Sequence, residues 1–162
     1  MATSQQNLSG FQAGTLKDAG NIRVGIIVSE WNDAVTEALY SGARETLLGA
    51  GIIPENIIRR NVPGSFELTL GAQFMAQDPL IHAVICLGAI IQGETRHFDF
   101  ICQAVAQGIT NVGLKYDKPV IFGVLTPDTQ QQALDRAGGK HGNKGDEAAV
   151  AAIRMLSFSR DF

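Results

Sequence analysis

No run of lysine and arginine appears in the 162 residues, and the formal net charge is -3. The extended basic field that nucleic acid or an anionic membrane surface requires is therefore missing, and any bound anion must be held by a few local groups. The two cysteines, Cys86 and Cys102, have no C-x-x-C or other metal-ligand spacing. Both read as buried, reduced core thiols of a cytoplasmic protein. The opening MATSQQNLSG has neither the basic region nor the apolar core of a secretory signal. The longest apolar run, residues 81–91 with His82 inside it, falls short of the roughly 20 residues that a bilayer crossing takes. With no P-loop and no Gly-x-Gly-x-x-Gly, neither a nucleoside triphosphate nor a Rossmann dinucleotide is indicated. Charged residues are scarce, at 18% against 45% hydrophobic. That balance argues against disorder and predicts a homo-oligomer in which much of the surface is covered.

What is present alternates. Residues 22–28 are rich in β-branched side chains and bounded by polar ones, as a buried strand should be. Asn32 is placed to cap a helix from Asp33 to about Leu48, with Val35, Leu39, Ala43 and Leu47 on one face and Gly49 and Gly51 stopping it. A second strand is predicted over 57–62, a helix over about 67–76, and a third strand over 82–91. Phe98, Ile101, Cys102, Val105, Ile109 and Val112 form the stripe of the next helix, followed by a strand over 119–125. Thr126-Pro127-Asp128 reads as a helix start, Gly138-Gly139 as a polar turn, and 145–158 as an Ala-rich helix. The pattern predicts one α/β domain over 21–162 behind an N-terminal leader over 1–20, with a four-stranded parallel sheet between helices on both faces.

In such a sheet, ligands bind beyond the carboxyl ends of the strands, where strand order reverses. Those ends carry Ser29-Glu30-Trp31-Asn32, Pro63-Gly64-Ser65-Phe66-Glu67, Gly93-Glu94-Thr95-Arg96-His97 and Thr126-Pro127-Asp128. The third leads straight into a helix, so free backbone N–H groups and the helix dipole make it a phosphate seat, with an imidazole at hand for proton transfer. From this stretch alone, Thr95 as a plain helix cap and His97 as a surface residue of the first turn is the favoured reading. Trp31, the only tryptophan, is either a stacking platform for a planar heterocycle or a packing residue. Glu67 is either a ligand acceptor or a helix N-terminal acid. Arg136, Lys140 and Lys144 are either an anion clamp or a solvated basic edge. His82 and His141 show no partner in the sequence and read as structural.

Taken together, Glu30-Trp31-Asn32, Val62-Pro63-Gly64-Ser65-Phe66-Glu67, Gly93-Glu94-Thr95-Arg96-His97-Phe98-Asp99, Phe122-Gly123-Val124, Arg136-Ala137-Gly138 and Lys140-His141-Gly142-Asn143-Lys144-Gly145 make the chain resemble the 6,7-dimethyl-8-ribityllumazine synthase family over about 21–158. The resemblance implies a three-layer α-β-α, flavodoxin-like fold and an enzyme of riboflavin biosynthesis. Its two small-molecule substrates would be 5-amino-6-(D-ribitylamino)uracil and (3S)-3,4-dihydroxy-2-butanone 4-phosphate, with no metal or redox cofactor. By that likeness the uracil stacks on Trp31, and Ser65, Phe66, Glu67, Ala89, Ile90 and Ile91 hold its ring and ribityl chain. Glu94, Thr95 and Arg136 take the phosphate, and His97 transfers protons. Phe122 and Arg136 come from the neighbouring subunit, with Lys144 and Glu147 as further polar positions. Gln92 departs from the family pattern, where a basic residue is frequent, and so does Thr69, where a proline is usual.

The resemblance also implies pentamers, which the short turn over 138–145 and a leader able to pair with a neighbour's sheet edge tilt toward a sixty-subunit shell, with an enclosed riboflavin synthase as a further partner. Two other classes are compatible with the same residues: a flavin-storing binding module, and a purely structural shell protein.

Overall fold

The computed structural model describes residues 16–160. Its main elements are β1 (Val24–Ser29), α1 (Asp33–Gly49), β2 (Ile57–Val62), α2 (Leu68–Gln77), β3 (Ala83–Ala89), α3 (His97–Tyr116), β4 (Val120–Leu125), α4 (Gln130–Asp135), β5 (Ala137–Gly139), β6 (Gly142–Asn143) and α5 (Lys144–Ser159). The first four strands form one parallel sheet in the order β2-β1-β3-β4. Strand order therefore reverses between β1 and β3, and β2 and β4 are the edges.

The period of two in the central strands divides the core. Val24, Ile26 and Val28 of β1 and Ala83, Ile85 and Leu87 of β3 face α1 and α5, where they meet Leu39, Ala43, Leu47, Ala149 and Ile153. Their alternates Ile27, Val84 and Cys86 face α2 and α3, against Leu68, Ala72, Val105 and Ile109. Both central strands are buried on both faces, which is why they read as continuous apolar runs rather than alternating ones. This is the expected three-layer α-β-α architecture of a flavodoxin-like fold. Among the described residues, no helix is long and apolar enough to cross a membrane.

Several local expectations need correction. Asn32 precedes α1 but does not cap it through its side chain; it adopts a left-handed backbone (φ 62). Its Nδ2 instead donates to Ala89 O at 3.0 Å. The helix expected at Thr126-Pro127-Asp128 starts later, at Gln130, capped by the Thr129 hydroxyl, which accepts from Gln132 N. The reason is that Ile90 N donates to Leu125 O and Gln92 N to Pro127 O, so the β3–β4 ladder continues past both strands and holds 125–127 extended. The polar turn at Gly138-Gly139 is a β5–β6 antiparallel hairpin, with Gly138 and Gly142 at positive φ. His82 and His141 both have partners: His82 Nδ1 accepts from Arg23 N at 3.1 Å, and His141 N donates to Asp135 O at 2.8 Å beside the Asp135 carboxylate.

Cys86 is fully buried, and burial alone pushes its thiol up to about 12, but Cys102 is only half-buried. A 20-residue helix runs about 30 Å while a seven-residue strand runs about 23 Å, so α3 overhangs the sheet. Its first turns, with Phe98, Ile101 and Cys102, stand partly clear, whereas Val105, Ile109 and Val112 are covered. Of the leader, residues 1–15 and their expected pairing with a neighbour lie outside the described residues. Leu16 is buried, its N–H donating to Ala50 O, and a 3-10 turn at Ala19–Asn21 leads into β1.

Candidate active site

The carboxyl ends of the strands are level: Ser29 pairs in register with Val62, Val28 with Leu87, and Ala89 with Leu125. Beyond β1 the chain stays against the end of β2, because Glu30 N donates to Val62 O and Trp31 N to Pro63 O. Trp31 thus stands at the mouth of the sheet with its side chain outward, 73% exposed, and is not a core residue. A Cβ on Gly64 would lie 3.1 Å from Glu67 Oε2 and 3.7 Å from Trp31 Cδ1, so the indole and the carboxylate flank one point of backbone. A Cβ on Gly88 would lie 2.6 Å from Ser65 Oγ and 3.3 Å from Ser29 Oγ; only glycine lets the 63–67 loop close over β3. Both hydroxyls are buried without a protein partner. Phe66, beside Ser65, is outward and 55% exposed.

The Asn32 amide spans the crevice between β1 and β3, fixing Trp31 relative to Ala89, Ile90 and Ile91. Asn32→Ala removes that bond and leaves in the left-handed region a residue that tolerates it less well than asparagine. We expect a loss of about 2 kcal/mol, measured as a lower urea midpoint with unchanged slope.

The turn before α3 carries Glu94, Thr95, Arg96 and His97, all exposed. The Thr95 hydroxyl accepts from His97 N at 3.4 Å, so it does act at the helix start, while the imidazole projects from the first residue of α3. Arg96 and Asp99 make an open ion pair at 3.9 Å. Thr69, one of the departures from the family pattern, packs α2 on α3: a Cβ on Gly108 would lie 2.5 Å from its side chain.

A different set of groups lines a cavity of about 540 Å³ along edge strand β4. Phe122 and Gly123 through Pro127 form one wall, Gln132 and Arg136 of the α4 region a second, and Lys144, Glu147, Ala148 and Ala151 of α5 the third. Lys144 N donates to Arg136 O at 2.9 Å, which closes the hairpin and brings the two cations side by side. Lys144 Nζ pairs with Glu147 at 2.5 Å, both half-buried. Behind Arg136, Asp135 is held below its usual range by a hydrogen bond from Gln131 and by the Lys140 ammonium. Burial, with Glu147 adding repulsion, raises Asp146.

The structure therefore brings two sets of the sequence-derived residues together and leaves Glu94, Thr95 and His97 apart from both, at the exposed start of α3. Trp31, Ser65, Phe66, Glu67 and Ala89 gather at the switch point. Phe122, Arg136 and Lys144 line the β4 cavity, whose walls include neither Trp31 nor His97. Sequence reasoning missed the Asn32 tether and the Ser29 hydroxyl, although both sit in the quoted strand-end motif. Gln132 in the cavity wall had no signal except its spacing of four from Arg136.

A family model described as 6,7-dimethyl-8-ribityllumazine synthase matches residues 21–160. The 6,7-dimethyl-8-ribityllumazine synthase of Cytophaga hutchinsonii is 60% identical over 157 residues, covering 97% of this chain and 98% of that one. That of Parabacteroides distasonis is 54% identical over 159 residues, covering 98% and 99%. That of Flavobacterium johnsoniae is 54% identical over 155 residues, covering 96% and 82%.

Proposed function

Since the chain belongs to the 6,7-dimethyl-8-ribityllumazine synthase family and is an enzyme, we propose that it condenses 5-amino-6-(D-ribitylamino)uracil with (3S)-3,4-dihydroxy-2-butanone 4-phosphate. The product is 6,7-dimethyl-8-ribityllumazine, a step of riboflavin biosynthesis. The uracil amine attacks the ketone to give an imine with loss of water, phosphate is eliminated, and ring closure releases a second water.

The observation that carries this reading is the division of the site groups on one chain. The stacking plane, hydroxyl and carboxylate of Trp31, Ser65 and Glu67 stand at the ends of β1 and β2, while Phe122, Arg136 and Lys144 stand along the open edge of β4. Each set alone is half a pocket. Joined across a subunit contact, they enclose a heterocycle between two aromatic planes and a phosphate among cations. Trp31 stacks the uracil; Ser65, Phe66, Glu67 and the segment Ala89-Ile90-Ile91 hold ring and ribityl chain. Glu94 and Thr95 at the α3 start and Arg136 of the neighbour hold the phosphate. His97 moves protons between them. Holding two reactants face to face contributes roughly 7–11 kcal/mol of the barrier reduction.

The test mixes the protein with both substrates and follows lumazine absorbance and free phosphate. Equimolar product and phosphate support the reading, and retention of a flavin without turnover overturns it in favour of a binding module.

The pocket so divided needs an assembly, and the chain is suited to one. Leu70, Phe74, Phe100 and Leu114, on the outward sides of α2 and α3, are each more than half exposed. We propose pentamers grouped into a cytoplasmic sixty-subunit shell that can enclose a riboflavin synthase, a reading supported by the shortness of the hairpin between Ala137 and Asn143. Light scattering is expected to give the mass of sixty chains; a mass of five at every concentration rules the shell out.

A further inference from the structure

Lys144 and Glu147 reach the β4 cavity from the first turns of α5, and the placement of those turns is set elsewhere, against α1. A Cβ on Gly42 of α1 would lie 2.1 Å from Asp146 Oδ1 and 2.6 Å from Asn143 Nδ2. A Cβ on Gly145 would lie 1.9 Å from Leu39 O. A side chain at Gly145 meets the backbone of α1 and forces the helices apart, while one at Gly42 displaces the side chains of Asp146 and Asn143 and so breaks the fastening described next. Asn143 fastens the contact twice: its Oδ1 accepts from Gly145 N at 2.8 Å, and its Nδ2 donates across to Ala38 O at 2.9 Å. The first bond caps α5; the second reaches from that cap to another helix.

Lys144 lies between these two anchored residues, and Glu147 one turn later. Neither Gly42 nor Asn143 lines the cavity. We propose that Gly42 and Asn143 are positioning residues: a seat on α1 that fixes how far α5 stands from it, and hence where Lys144 and Glu147 stand beside Arg136. The inference rests on the reading of the cavity as half of the active site. A displacement of the start of α5 by about an ångström is expected to cost up to about 10²-fold in rate.

Asn143→Asp separates the two roles, because the carboxylate still accepts from Gly145 N but cannot donate to Ala38 O. The crystal structure of the assembled variant is expected to show the start of α5 farther from α1 and the Lys144–Glu147 pair, as a unit, displaced by about an ångström relative to Arg136. Its kcat/KM is expected to fall about 10-fold at temperatures well below unfolding. In a Lys144→Met background the same substitution is expected to change kcat/KM by less than about 2-fold, because its effect acts through the lysine. Gly42→Ala is expected to act in the same direction, and should it fail to fold, Asn143→Asp decides alone. An unmoved ion pair, or two effects that multiply independently, overturns the proposal. If the wild-type protein fails to form product, the functional reading falls, whereas the position of the pair in the variant still decides the seat.

Discussion

His97→Ala is expected to turn over about 10²–10⁴-fold more slowly at saturation with both substrates while binding the uracil substrate as tightly as the parent enzyme. The substitution is clean because the contact His97 makes at the start of α3 is through its backbone: His97 N donates to the Thr95 hydroxyl, and alanine keeps that donor. The exposed imidazole is what is lost. Helix start and proposed phosphate seat therefore survive, and the missing group is the one proposed to accept a proton from the condensing amine and return one to the leaving water. Single-turnover kinetics measures the slow step, and titration calorimetry with the uracil measures binding. Unchanged turnover refutes the assignment, and loss of uracil affinity by the same factor makes His97 a binding residue.

Arg136→Ala is expected to raise the KM for the phosphorylated substrate roughly 10- to 100-fold, the loss of a hydrogen bond to a charged group, with the KM for the uracil little changed. The Arg136 backbone closes α4 through Ala133 O and accepts from Lys144 N, and alanine preserves both bonds. A selective effect is thus expected, and a fall in melting temperature without a change in KM counts against the clamp. The more telling form of the experiment combines the two variants. If each pocket takes His97 from one protomer and Arg136 from the next, shells reassembled from an equal mixture of H97A and R136A chains contain intact pockets. Random mixing gives about one quarter of the parent activity at substrate levels where either variant alone is nearly inactive. If both residues came from one chain, mixing would restore nothing.

The order of strands and helices was legible because each element has its own period. The two-sided burial of β1 and β3 shows as unbroken Val/Ile-rich runs, and the α1 face Val35, Leu39, Ala43 and Leu47 is spaced for one buried stripe, all four fully covered. The grouping of the strand-end residues was legible for the same reason: once the strands are placed, the residues after them share one edge. What was hidden depended on contacts between segments far apart in the chain. Asn32 looks like a cap by local rules, yet its amide goes to Ala89, 57 residues away. Pro127 looks like a first helical residue, yet its carbonyl is claimed by Gln92. Cys102 shares the spacing of the α3 stripe, and only the overhang of that helix shows why it is half-covered. The hairpin at Ala137–Gly139 and Gly142–Asn143 is too short to have a period at all. As for the site, Trp31 and Glu67 meeting at Gly64 followed from the topology, whereas the joint cavity of Phe122, Arg136 and Lys144 required knowing how α5 lies on β4.

The ladder that carries Ile90 and Gln92 onto Leu125 and Pro127 has a mechanical consequence for the proposed ring. It fastens residues 90–92, assigned above to one pocket, to residues 125–127, assigned to the wall of the next, so the two segments are one rigid piece of the protomer. In the ring proposed above, a ligand that displaces one of these segments would carry the other with it.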